Sequence, residues 1–119
     1  MPRILVLEDE PLIGMMLQGW LEEVDCEIIG PGRSVQGALD LLRGATLDGA
    51  LLDVSLRDSE KCYPVASALR DRRVPFAFLT GYAAEDLDAR FSEAPVLCKP
   101  LEFEAFKAAI AKFLSPPQS

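Results

Sequence analysis

Five short apolar runs punctuate this chain: RILVL at 3–7, CEIIG at 26–30, GALLD at 49–53, PFAFLT at 75–80 and PVLC at 95–98. None alternates apolar with polar residues, as a strand with one wet face would. Each is too short for a helix and is bounded by turn residues or charge, so each reads as a strand covered on both faces. The segments between them have helical spacing instead. Ile13, Leu17, Trp20, Leu21 and Val24 fall on one face of 11–24, and Pro11 is tolerated in a first helical turn. Ser34 is placed to cap a helix carrying Val35, Ala38, Leu39 and Leu42. Val65, Ala66 and Leu69 mark a helix over 63–72, a short and weakly amphipathic one is expected over 83–91, and 101–114 carries Phe103, Phe106, Ile110, Phe113 and Leu114 on one stripe. Five strands alternating with five helices, joined by right-handed crossovers, predict a doubly wound parallel α/β domain.

In a sheet of this kind the ligand crevice lies beyond the carboxyl ends of the strands. Glu8, Asp9 and Glu10 follow the first run, Asp53 ends the third, Thr80 ends the fourth, and Lys99 and Pro100 follow the fifth. The second run ends in Gly-Pro-Gly. Taken singly, Asp53 is an ordinary loop acid, Thr80 a turn residue, Lys99 a solvated cation, and 8–10 a favourable charge at a helix start. Together they place carboxylates, a hydroxyl and an ammonium on one edge. Clustered carboxylates repel unless a cation sits among them, and all-oxygen donors favour Mg2+. A strand-end carboxylate can also act as nucleophile toward a phosphoryl group.

The rest of the composition excludes alternatives. The 119-residue chain has no histidine, which removes His-based triads, His general acid–base catalysis and His-ligated zinc. Its 12 basic against 19 acidic residues, net −7, argue against nucleic acid as a main partner, and Arg70, Arg72 and Arg73 read as a solvated helix end. The three cysteines form no CxxC pair and suit a reducing cytoplasm, with Cys26 and Cys98 expected in the core. No apolar run approaches a membrane span or a secretory signal.

The pieces LVLEDE (5–10), LLDVSL (51–56), FLTGY (78–82) and CKP (98–100) resemble, in order and spacing, the motifs of a bacterial two-component receiver domain. The resemblance runs essentially the full length of the chain. It implies a flavodoxin-like sheet of order 2-1-3-4-5, spanning 1–119 as one response regulatory domain with no output domain. It implies Asp53 as phosphoacceptor, and Mg2+ held by Glu8, Asp9, Asp53 and the backbone carbonyl of Ser55. It further implies Thr80 as switch hydroxyl, Lys99 as phosphate-sensing ammonium, and a cis bond before Pro100. PFAFLTGY (75–82) and YPVASAL (63–69) look like the FATGUY subgroup, which brings Gly81 and Tyr82 in as output-coupling residues. Many receivers carry an aromatic three residues before the lysine. Here that position is Val96, so the resemblance leaves Tyr82, or ordering of 82–94, to take the coupling role.

The function so implied is a non-enzymatic phosphorylation switch in the cytoplasm. A histidine kinase or phosphotransfer protein would supply the phosphoryl group, and the output would be either a downstream protein, contacted across 82–106, or phosphorelay itself. Neither nucleic acid nor membrane is an expected partner. Two rivals use the same residues: a haloacid-dehalogenase-like phosphatase, which would want an acid where Ser55 stands, and a receiver-like binding module that no longer switches.

Overall fold

The computed structural model describes residues 1–81 and 87–115, the side chain of Asp58 excepted. Its strands are β1 (Arg3–Leu7), β2 (Glu27–Gly32), β3 (Gly49–Asp53), β4 (Phe76–Thr80) and β5 (Val96–Cys98). They form one parallel sheet of order β2-β1-β3-β4-β5. Among the described residues the α-helices are α1 (Pro11–Glu23), α2 (Val35–Arg43), α3 (Tyr63–Asp71) and α4 (Phe103–Leu114). None is long and apolar enough to cross a membrane.

The unbroken apolar strands have the predicted cause. Residues 4–7, 50–52 and 77–79 are wholly buried, because neighbouring side chains enter opposite faces and both faces are covered. One face holds Leu5, Leu7, Leu52 and Phe78 against α2 and α3. The other holds Ile4, Val6, Leu51 and Leu79 against α1 and α4. Gly49 begins β3 beneath Phe113, where a Cβ would lie 2.5 Å from the ring. The absence of a side chain there is what lets α4 close on the sheet.

Helix ends explain how the chain re-enters the sheet. After α1, Asp25 takes a left-handed φ of 61° and Cys26 N–H donates to the Leu21 carbonyl at 2.8 Å. After α3, Arg73 takes φ 60° and Val74 N–H donates to Leu69 at 2.9 Å. Both are Schellman closures that turn the backbone straight into the next strand. Ser34 Oγ accepts from Gly37 N–H at 3.0 Å, the expected cap of α2.

Four expectations are corrected. Strand β2 does not stop at Gly30. It runs on through Pro31 and Gly32 with a slip in its register against β1, where Gly30 adopts φ 104° and a Cβ would meet Gly32 N at 2.6 Å. The predicted helix over 83–91 lies partly outside the described residues. Its described end is not α-helical, because Asp88 is extended and its carboxylate caps a 3-10 turn at Ala89–Phe91. Cys98 is exposed rather than core, since it closes a short edge strand, whereas Cys26 and Cys62 are buried. The arginines at the end of α3 are more than solvated charge. Arg70 donates to the Arg90 carbonyl at 2.7 Å and lies 4.4 Å from the Phe91 ring centroid, and Arg72 donates to the Leu42 carbonyl.

Tyr63, at the start of α3, ties down the same 3-10 segment. Its ring stacks on Phe91 at 5.8 Å and its hydroxyl accepts from Asp88 N–H at 3.0 Å. The segment before β5 is therefore held from α3.

Candidate functional site

The parallel sheet brings the carboxyl ends of β1, β3, β4 and β5 to one rim. Glu8 leaves β1 with its backbone N–H bonded to the Gly32 carbonyl at 2.9 Å, so the extension of β2 helps to place it. Its side chain points inward and the residue is 1% exposed; Asp53, ending β3, is 5% exposed. Lys99 reaches between them, with Nζ 3.1 Å from Asp53 Oδ2 and 3.2 Å from Glu8 Oε2. Its backbone N–H donates to the Thr80 carbonyl at 2.7 Å, which joins the ends of β4 and β5. The bond from Lys99 to Pro100 is cis, as expected.

Asp9 sits one residue beyond Glu8 and turns toward the loop after β3. Its Oδ2 accepts from the backbone N–H of Arg57 at 2.8 Å, with Arg57 Nε 3.7 Å away. Asp53 Oδ1 accepts from Ser55 N–H at 3.2 Å. An open cleft of about 490 Å3 lies over these groups, bordered by Asp9, Asp53, Ser55, Arg57, Thr80, Gly81 and Lys99. Thr80 is half-buried, and Gly81 is exposed with open space where a Cβ would be. Tyr82 lies outside the described residues. Val96 is half-buried, pairs with Phe78 in the sheet register and packs on the α2–α3 side.

The electrostatics are strained in a telling direction. Burial pushes the Glu8 carboxyl up to about 7, and the nearby charge of Asp53 pushes the same way; the Glu10 N–H and Lys99 oppose it. For Lys99, burial works against the charged form, yet Asp53 and Glu8 outweigh it and the ammonium is raised above its ordinary value. Glu8 Oε2 is nevertheless buried without a hydrogen bond, its contact with Lys99 being an ion pair by distance only. One carboxylate oxygen from each of Glu8, Asp9 and Asp53 lies within 4.8 Å of the others. Three convergent carboxylates, two of them on buried residues, offer the hard oxygen donors that fit a small divalent cation.

Two residues of this rim look like solvated charge in the sequence: Arg57 and Lys61, both in the polar loop after β3. In fact Arg57 covers Asp9, and Lys61 Nζ donates to Ser55 Oγ at 2.8 Å across a small antiparallel bridge. The usable clue for Arg57 was a cation four positions past an acidic strand end.

No protein-family model matches the chain. Among curated proteins, the phyllosphere-induced regulator PhyR of Methylorubrum extorquens is 32% identical over 119 residues, 98% of this chain and 45% of that protein. The chain spans about half the length of the curated relatives it matches. Among solved structures, the response regulator TrrA of Thermotoga maritima, in complex with Mg2+ and BeF, is 27% identical, with TM-score 0.82 over 96% of this chain and all of that one. SdrG from Sphingomonas melonis Fr1 is 43% identical, with TM-score 0.85 over 97% of this chain and 98% of that chain. Likeness to SdrG at that identity, end to end in both chains, makes this chain a member of the response-regulator receiver family, in its FATGUY subgroup.

Proposed function

We propose that this chain accepts a phosphoryl group on Asp53 in an Mg2+-dependent reaction and passes the signal on by contact with another protein or by phosphorelay. The observation that carries the reading is the setting of Asp53. It is a buried carboxylate on the floor of an open cleft, held by Lys99 Nζ on one oxygen and Ser55 N–H on the other, with Glu8 and Asp9 alongside.

Glu8, Asp9, Asp53 and the carbonyl of Ser55 would hold the cation. When bound, Mg2+ supplies charge neutralisation for the oxygens of the transferring group. The chain's own residues do the rest. An Asp53 oxygen forms the new O–P bond as the bond to the donor's nitrogen breaks. A histidine kinase or phosphotransfer protein is the donor, since this chain has no histidine of its own. Lys99 and Thr80 border the same cleft; in this reading the ammonium meets the charge that arrives and the hydroxyl meets a phosphoryl oxygen. The added charge, about −1.5 to −2 by analogy with other phosphorylated side chains, then biases the chain after β4, through Gly81 and Tyr82. The reading takes residues 1–119 as one cytoplasmic signalling unit that turns over no substrate of its own and whose partners are proteins.

The decisive measurement is labelling by acetyl phosphate with Mg2+ present. The wild-type chain should label, and Asp53→Asn should lose at least 90% of it, as an order-of-magnitude expectation for removing a nucleophile. Equal labelling of the variant would remove Asp53 from its role. Sustained turnover of small phosphate esters would instead favour a phosphatase, a reading already weakened by Ser55 standing where such an enzyme needs an acid.

A further inference from the structure

The loop that joins β3 to α3 is more ordered than its polar sequence suggests. Cys62 N–H donates to the Val54 carbonyl at 3.1 Å and Leu56 N–H to the Glu60 carbonyl at 2.8 Å. Ser59 turns the tip with a left-handed φ of 62°. Glu60 reaches across to accept from Val35 N–H at the start of α2, at 2.9 Å. This framing delivers the 3-10 turn at Arg57–Ser59 to the edge of the cleft, so that both the backbone N–H and the guanidinium of Arg57 face one oxygen of Asp9.

We infer that Arg57 is a built-in counter-cation for Asp9, which an incoming divalent ion must displace, so that this arginine sets the cation affinity of the site. The inference rests on the metal site proposed above and adds a residue that opposes it. Three observations carry it. Arg57 faces the carboxylate of Asp9, one of the three that converge, at its Oδ2 atom. The Asp9 side chain is only 10% exposed, so water offers it little alternative charge compensation. The Arg57 side chain is 77% exposed, so it rehydrates cheaply when it leaves. Arginine is thus the partner that moves. The backbone N–H bond to Asp9 does not depend on the side chain and keeps the acid in place after displacement.

Isothermal titration of Mg2+ into the wild-type chain, Arg57→Ala and Arg43→Ala tests this. Arg43 pairs with Asp40 far along α2, so its removal changes net charge equally without touching the cleft. Arg57→Ala should bind Mg2+ about two- to fivefold more tightly than wild type, the range for a mostly exposed ion pair. Arg43→Ala should match wild type, and the Arg57→Ala gain should shrink in about 1 M salt, where charges are screened within roughly 3 Å. In the wild-type chain the Nε–H resonance of Arg57 should shift with the same midpoint as cation binding. Equal affinity of the two variants, or an Nε–H signal indifferent to Mg2+, would overturn the inference and leave the metal site standing. A wild-type chain with no Mg2+ site would overturn both.

Discussion

The two rims of this sheet are built from the same strands and treat charge in opposite ways. At the amino rim, Arg3 and Asp48 exchange hydrogen bonds at 2.8 Å, one from each backbone N–H, and Arg3 Nε lies 3.7 Å from Glu27. That Nε atom is itself buried without a hydrogen bond, but the pair sits at the surface, its side chains being 37% exposed for Arg3 and 51% for Glu27. At the carboxyl rim, Glu8 and Asp53 are the buried charged residues among those described, their side chains only 0% and 7% exposed, and both lean on the ammonium of Lys99. The amino rim is a finished piece of structure. The carboxyl rim gathers buried carboxylates around one ammonium, a local conflict with stability of the kind that functional sites carry.

The sharpest way to break this contrast is Lys99→Met, which keeps the stem and deletes the ammonium. Two buried carboxylates then lose their shared cation, and stability at pH 8 should fall by about 3 kcal/mol, the lower end for breaking a buried pair. The loss should be smaller at pH 5.5, where Glu8 holds its proton. Urea unfolding at the two pH values checks both statements. A loss no larger than that of an exposed pair would mean the two rims do not differ.

The matching change at the amino rim is Gly49→Ala. Its Cβ would collide with Phe113, so α4 must shift at a cost of about 1–3 kcal/mol. Here the cost should be the same at pH 5.5 and pH 8, and Mg2+ affinity should be unchanged. Structural strain and site chemistry are thereby separated.

A smaller effect sharpens the comparison further. Because the folded state raises Glu8 to about 7, the native chain binds more protons than the unfolded chain between about 4.5 and about 7. Stability from this group is therefore present at low pH and lost as pH rises through that window. Glu8→Gln should abolish the decline. The wild-type minus variant difference in unfolding free energy should change by about 1–2 kcal/mol between pH 5 and pH 8, less than the full shift implies because a rim site relaxes. An unchanged difference would mean that Glu8 is not strained by its surroundings.

Much of this was legible in the sequence because it rests on short-range patterns. The central strands are pure apolar runs, and the predicted bounds of β1 and β3 match the structure residue for residue. Asp53, Glu8, Thr80 and Lys99 were readable because topology alone sends every strand end to one rim. What escaped depends on contacts that no local pattern encodes. The continuation of β2 through Pro31 follows from a register slip at Gly30. The failure of a helix at Asp88 follows from the carboxylate capping its own turn, with Tyr63 and Arg70 holding the segment from α3. Arg57 and Lys61 look like solubilising charge until the loop is folded over Asp9 and Ser55.

The all-parallel order of the sheet has a kinetic corollary. No neighbouring strands here are joined by a simple hairpin; β1 and β3, which meet at the centre, pair Ile4 with Gly49 across an intervening strand and two helices. Every ladder is thus a long-range closure, of the sort that forms slowly. Position 99 directly follows β5, the last strand in chain order, so a nascent chain not yet extended to it carries both carboxylates but lacks the ammonium between them. The rim can be assembled only after the chain has been laid down past β5, which couples the meeting of 8, 53 and 99 to closure of the last strand of the sheet.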